Sequence, residues 1–345
     1  MRALVYHGAG KKDWESTPDP EIVDQTDAII RVEAVTICGT DLHILKGDVP
    51  EVPDGLVLGH EAVGTVVAAG PAVTAVRPGD RVLASCISAC GRCRYCREGA
   101  YGQCLAGGGW ILGHTIDGVQ AEYARIPFAD TSMYLLPDGV RSADAVMLAD
   151  ILPTGYEVGV LNGGVGPGDT VVIVGAGPIG LAAIMTAKLY SPSAILVVDP
   201  AEPRRRAAEA LGAIPIDPAA SDPLEVVRAV TGGLGADAAL EAVGVPATFE
   251  LCTQLVRPGG HVANVGVHGK PAQLHLEKLW IRNVTITTGL VDTYSTPTLL
   301  SMVTNGSLDP SRFATHHYAL PEIETAYDVF ADAAQTNALK VVLRK

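Results

Sequence analysis

Short apolar runs divided by turn residues fill the first 150 positions. Runs at 28–35, 62–68 and 81–84 are rich in β-branched residues, and turns such as Pro78-Gly79-Asp80 separate them. That pattern predicts an irregular, largely β domain. Near residue 155 the texture changes. Six apolar runs, at 171–174, 195–198, 214–216, 238–240, 261–265 and 284–287, are interleaved with helical patterns at 179–190, 204–211, 224–230 and 247–256. Alternation of strand and helix predicts a doubly wound α/β domain, a parallel sheet with helices on both faces. The final stretch returns to mixed texture and ends on a strand-like run at 339–343. The expected division is one domain from 1–153 with 291–345, and a second from 154–290.

Composition adds constraints. The 345 residues suffice for two cores, and 48% hydrophobic with 18% charged residues describes a globular chain. The net charge of −13, with no basic block, argues against nucleic acid and against an anionic membrane surface. The cluster Arg204-Arg205-Arg206 reads as a solvated helix face. The start, Met1-Arg2-Ala3-Leu4-Val5-Tyr6, lacks the long apolar core of a signal peptide, and a cytoplasmic location is expected. Residues 171–187 are about as apolar and long as a marginal membrane span, yet Gly175, Gly177, Pro178 and Gly180 interrupt them.

Those interruptions form G-x-G-x-x-G, preceded by a predicted strand and followed by a predicted helix. Gly175 permits the tight turn, Gly177 allows close approach of a pyrophosphate, and Gly180 allows helix and strand to pack. The helix opening at Pro178 and Ile179 offers unpaired N–H groups to phosphates. Asp199, 19 residues after Gly180 at the end of the next strand, can accept hydrogen bonds from a ribose diol and repels a 2′-phosphate. NAD is therefore expected over NADP, although Arg204 and its neighbours could hold that phosphate. The alternative is a buried hairpin whose glycines serve packing alone.

Two clusters suggest metal. Cys90, Cys93, Cys96 and Cys104 follow the pattern C-x2-C-x2-C-x7-C, and four thiolates so close can wrap one zinc ion tetrahedrally with no open position. An Fe–S cluster or unconnected thiols are the alternatives. Cys86 nearby reads as a packed thiol. The second cluster is dispersed: Cys38-Gly39-Thr40-Asp41-Leu42-His43, then Gly59-His60-Glu61. Singly, each residue has an ordinary explanation in core, turn or solvent.

Together, these motifs resemble the zinc-containing medium-chain dehydrogenase/reductase family, within its alcohol dehydrogenases. The resemblance runs through Cys38–His43, Gly59-His60-Glu61-Ala62-x-Gly64, Pro78-Gly79-Asp80-Arg81-Val82, the four-cysteine lobe and the glycine motif, in order and over the whole length. It implies a GroES-like catalytic domain with a Rossmann domain. It also implies two zinc ions per chain: a structural one in the cysteine lobe and a catalytic one on Cys38, His60 and Asp150. Many members carry cysteine at the position of Asp150; the aspartate resembles bacterial secondary-alcohol dehydrogenases, although the aspartate-type relatives lack the four-cysteine lobe. Glu61 is then a conditional fourth ligand. Thr40 would bond the substrate oxygen and start a proton relay continued by His43. Asp41 would fix the tautomer of His60, and Thr154 would lie near the nicotinamide. Trp110 and Leu290 would line the substrate pocket, with an ordinary core role open for Trp110.

The expected activity is reversible, NAD-linked hydride transfer between a small, secondary alcohol and its carbonyl. Rivals within the family act on polyols, aldehydes or 3-hydroxy amino acids. A zinc-free quinone or enone reductase would not need the Cys38, His60 and Asp150 trio, and a catalytically silent NAD-binding protein would not need the relay. A homo-oligomer, a tetramer ahead of a dimer, is expected.

Overall fold

Alternation along Ala28–Thr36 turns Ala28, Ile30, Val32 and Ala34 inward and leaves Ile29, Arg31 and Glu33 partly exposed, until the strand is buried throughout at its end. This is the period-2 pattern of a strand with one face on a core. The computed structural model describes residues 1–345. The chain divides into two compact units, one of Met1–Pro153 with Asp292–Lys345 and one of Thr154–Val291.

The first unit is built on a seven-stranded sheet. Its path runs Ala314–Ala319, Lys340–Arg344, Ala28–Thr36, Ala62–Ala69, Arg81–Ala84 and Met133–Leu135, with Tyr123–Ile126 also pairing to Ala28–Thr36. Register sets the position of the chemistry. Val35 lies opposite Ala62 and Val342 opposite Thr36. Residues just after 36, just before 62 and at 340 therefore meet at one end of the sheet. Leu4, Ile30, Ile37, Ile44, Leu58, Ile126 and Leu343 pack below them, each fully buried. Each such side chain contributes about 1.5–3 kcal/mol.

The second unit holds six parallel strands in the spatial order Ile214–Ile216, Ala194–Val198, Thr170–Val174, Ala236–Glu241, Val256–Asn264 and Thr285–Thr288. In chain order that is 3-2-1-4-5-6, the doubly wound dinucleotide-binding arrangement, whose ligand crevice lies at the carboxyl ends beside the first strand. The apolar stretch at 171–187 resolves into a buried strand, a turn and the helix Pro178–Ala187. No helix is long and apolar enough to cross a membrane.

Two features depart from the sequence pattern. The fifth strand begins at Val256, ahead of the expected 261, because Gly259 and Gly260 interrupt its apolar periodicity without ending it. Residues 151–161, with no predicted helix, are helical, and Gly155–Leu161 is a π-helix. Its helicity is masked by Gly155 and Gly159. A Cβ at Gly155 would lie 2.8 Å from Ala182 Cβ and from Ala183 N, so glycine is what lets this helix approach its neighbour.

Candidate metal centres and nucleotide site

Cys38 ends the approach from the first unit's central strand and caps the helix Gly39–Lys46. Asp41, at the third helical position, accepts a 2.8 Å hydrogen bond from the Cys38 backbone N–H through Oδ2. This satisfies one of the free donors of the helix start and fixes the thiol's approach. His60 and Glu61 follow Gly59, whose φ of +92° is glycine's territory, and immediately precede the strand Ala62–Ala69. Asp150 sits between the turn Val146–Leu148 and the helix Ile151–Thr154.

These three chain segments bring Cys38, His60, Glu61 and Asp150 together, with one donor atom from each within 4.8 Å of the others. Cys38 Sγ is 3.4 Å from Asp150 Oδ2, and His60 Nε2 is 3.7 Å from the same oxygen. All four side chains are buried. Burial, followed by the charge of Asp150, pushes the Cys38 thiol up against the opposing pull of Lys340. Burial disfavours a charged His60, but its hydrogen bonds to Asp150 and Cys38 and the charge of Asp41 raise its pKa well above the ordinary range. The Cys38 thiol and the His60 imidazole thus hold protons that a cation would displace.

The donor set fits zinc. Within this cluster Glu61 Oε1 is buried without a hydrogen-bond partner. Such an atom is costly to leave unpaired. One sulfur, one imidazole nitrogen and carboxylate oxygen form an N/S/O set of the catalytic zinc type.

Sequence reasoning missed Lys340. Its side chain is 1% exposed, and Nζ lies 2.5 Å from Glu61 Oε2 while donating to the Ile37 carbonyl at 3.1 Å. Thr36 Oγ1 also donates to that carboxylate oxygen. Burial would strip Lys340 of its proton, but the charge of Glu61, helped by Cys38 and Asp150, outweighs it and raises the pKa to about 12. Glu61 is therefore pinned by one oxygen, and the other is left unpaired.

Around this cluster, Thr40 Oγ1 lies 3.7 Å from Cys38 Sγ. His43, three residues on, is partly exposed and bonds Asp48 through Nδ1 at 2.8 Å. Asp41 Oδ1 is 3.7 Å from His60 Nδ1. Trp110 meets His60 edge-on with ring centroids 6.3 Å apart and stacks on His114 at 4.1 Å. Leu290 is an exposed residue of the second unit. Thr154 opens that unit.

The cysteine lobe forms a separate group. Cys90, Cys93, Cys96 and Cys104 each offer a sulfur within 4.8 Å of the others, and none is in a disulfide. Backbone N–H groups of Cys90 and Leu105 point at the sulfurs of Cys104 and Cys93. Backbone hydrogen bonds from Cys96 and Leu105 lower Cys93 to about 6, whereas burial raises Cys96 to about 12. Four sulfurs facing one point suit a closed structural zinc site. Cys86 is buried outside this group.

In the second unit, Gly175 has φ of +102°, and a Cβ there would lie 2.6 Å from Val243 Cγ2. A Cβ at Gly180 would lie 1.9 Å from the Gly175 carbonyl oxygen, while nothing comes within 4 Å of one at Gly177. The turn is thus closed on its inner side and open where the helix starts. Asp199 is buried, its oxygens accepting from Ala176 N and Ala201 N at 2.8 Å each. It ties the glycine turn to the second strand and keeps lone pairs for further donors. The arginine cluster is not the uniformly solvated face expected. Arg205 turns inward to the carbonyls of Asp199 and Pro200 and to Asp217, because the carboxyl end of the second strand presents unpaired acceptors there. Arg206 alone pairs on the surface, with Glu202, and Arg204 is half-exposed.

Known proteins match this architecture. Residues 24–138 match the alcohol dehydrogenase GroES-like domain family, and residues 178–305 the zinc-binding dehydrogenase family. An alcohol dehydrogenase of Cupriavidus necator is 34% identical over 364 aligned positions, covering 100% of this chain and 98% of that one. The zinc-dependent alcohol dehydrogenase 2 from Streptococcus pneumonia superposes with a TM-score of 0.95 at 46% identity, covering 100% of this chain and 98% of the other. The alcohol dehydrogenase TADH from Thermus sp. ATN1 gives 0.92 at 37%, with coverage of 100% and 99%. A GroES-like unit with converging metal donors, joined in one chain to a Rossmann unit, places this protein among the alcohol dehydrogenases of the zinc-containing medium-chain dehydrogenase/reductase family.

Proposed function

We propose that the protein is a zinc-dependent, NAD-linked dehydrogenase that interconverts small secondary alcohols and their ketones. The buried donor set of Cys38, His60 and Asp150, with Glu61 pinned by Lys340, carries this reading. When bound, zinc would supply a Lewis acid that lowers the pKa of an alcohol oxygen, and NAD would supply the hydride acceptor.

The rest falls to the chain's own groups. The Thr40 hydroxyl, beside Cys38 Sγ, accepts the proton leaving the substrate oxygen as it gives up its own O–H proton toward His43. His43, partly exposed, passes that proton to solvent, as an imidazole with two ring nitrogens can. Trp110, stacked on His114 and edge-on to His60, supplies an apolar wall that favours short alkyl groups. Asp199 supports NAD over NADP by placing a carboxylate at the end of the second strand. Cys90, Cys93, Cys96 and Cys104 hold a second, structural zinc.

A screen of small primary and secondary alcohols, aldehydes and ketones with NAD(H) and NADP(H), before and after chelation, tests this. The expected result is best turnover on secondary alcohols with NAD, lost on chelation and restored by zinc. Turnover indifferent to chelation would sink the proposal, and a native preference for NADP would overturn the role of Asp199.

A further inference from the structure

We infer that Gln120 is a positioning residue for the metal centre: its amide, fixed in turn by Tyr327, clamps Asp41 so that His60 presents Nε2 to the metal donors. This rests on the zinc reading above. Gln120 is completely buried. Its Nε2 donates to Asp41 Oδ2 and to the Thr36 carbonyl, both at 3.2 Å. Its Oε1 accepts from the Tyr327 hydroxyl at 2.8 Å. A carboxylate and a carbonyl can only accept, so the amide nitrogen must face them, and its orientation follows from the partners themselves.

Asp41 Oδ2 then receives two donors, Gln120 Nε2 and the Cys38 backbone N–H. Oδ1 is buried without a partner, as is His60 Nδ1, and they face each other at 3.7 Å. With the carboxylate clamped, Nδ1 is the position for the imidazole proton and the Nε2 lone pair is left toward Asp150 and Cys38. Two donors on Oδ2 restrain the Asp41 carboxylate and leave Oδ1 facing the His60 ring.

The backbone is shaped around the same side chain. A Cβ at Gly59, the residue before His60, would lie 2.4 Å from Gln120 Cγ. Gln120 N–H bonds the Leu58 carbonyl at 2.9 Å, and Val119 N–H bonds that of Gly59 at 3.0 Å. The segment carrying Gln120 is thus laced to the turn carrying the ligand. At the far end, Tyr327 is 1% exposed on the helix Ile323–Ala331 and lies under Lys12 Nζ at 5.2 Å. Packing alone would be served by apolar side chains; a fully satisfied amide between a carboxylate and a phenol specifies orientation.

The test uses the full-length enzyme loaded with zinc, with Gln120→Met and Tyr327→Phe as variants. Catalytic-site zinc affinity is measured by chelator competition, with the cysteine-lobe zinc as internal control, and the cobalt-substituted absorption spectrum is recorded. Gln120→Met is expected to weaken catalytic-site zinc about 10–100-fold, the usual effect of losing an outer partner, and to alter the cobalt spectrum while the lobe zinc stays. Tyr327→Phe keeps the amide and should move both readouts the same way by a smaller factor. If both variants hold catalytic zinc within about twofold of the parent, whatever their melting temperatures, the inference is overturned. Should Gln120→Met not fold, Tyr327→Phe decides by the same criterion. A parent enzyme that takes up only the lobe zinc would instead overturn the metal reading underneath.

Discussion

Lys340 shows how one residue can govern a site from 279 positions away. Removing it by Lys340→Met leaves Glu61 buried and uncompensated, which costs about 3–5 kcal/mol. Urea denaturation should register that loss, and adding Glu61→Gln should recover most of it; no recovery would mean the pair contributes only packing. Thr40→Ala leaves the donors in place and should lower turnover by roughly two to four decades, with metal content unchanged. Stopped-flow and metal analysis on one preparation separate these effects. The sequence made Cys38, His60, Glu61 and Asp150 visible because they lie in short motifs. Gln120 and Lys340 carry no motif, and their partners are distant in the chain. One signal was available: Lys340 interrupts an apolar run, Leu339 to Leu343, whose other residues are buried, and a lysine there requires a buried counter-charge.

At the level of elements, periodicity made most strands of the second unit legible, since a buried parallel strand is a continuous apolar run. The start of the fifth strand and the π-helix were not, because glycines that serve close packing hide both periods. Gly180→Ala tests the turn directly. Its Cβ would meet the Gly175 carbonyl oxygen at 1.9 Å, a backbone atom that cannot step aside. Calorimetry should show NADH affinity falling more than about tenfold, together with a lower melting temperature. Asp237 provides a pH test. Burial raises its pKa, but the Thr170 N–H and the Arg257 guanidinium outweigh burial and hold it below the ordinary 3.8. A depressed folded-state pKa gives stability above the unfolded value that is lost as pH falls through the folded one. Asp237→Asn should therefore cost about 1–2 kcal/mol at pH 7 and progressively less below about pH 4. A cost constant with pH would reject the charge-based explanation.

Across the molecule, the two units divide as the change of texture near residue 155 suggests: the clustered Cys, His, Glu and Asp side chains lie on a β framework, and the glycine turn lies on a parallel sheet. Family membership was legible because the motifs occur in one order along the whole chain. Substrate identity was not, since Trp110 and its neighbours carry no spacing rule. The central claim is that one ion on Cys38, His60 and Asp150 performs the chemistry while a second, on the cysteine lobe, does not. Zinc stoichiometry by mass spectrometry, measured with NAD-linked alcohol oxidation on the same samples of the parent and Cys38→Ser, tests it most directly. The parent should hold two zinc ions per chain, and the variant one, with oxidation abolished and the fold retained. A variant that keeps both ions, or that still oxidises alcohol at the parental rate, would contradict it.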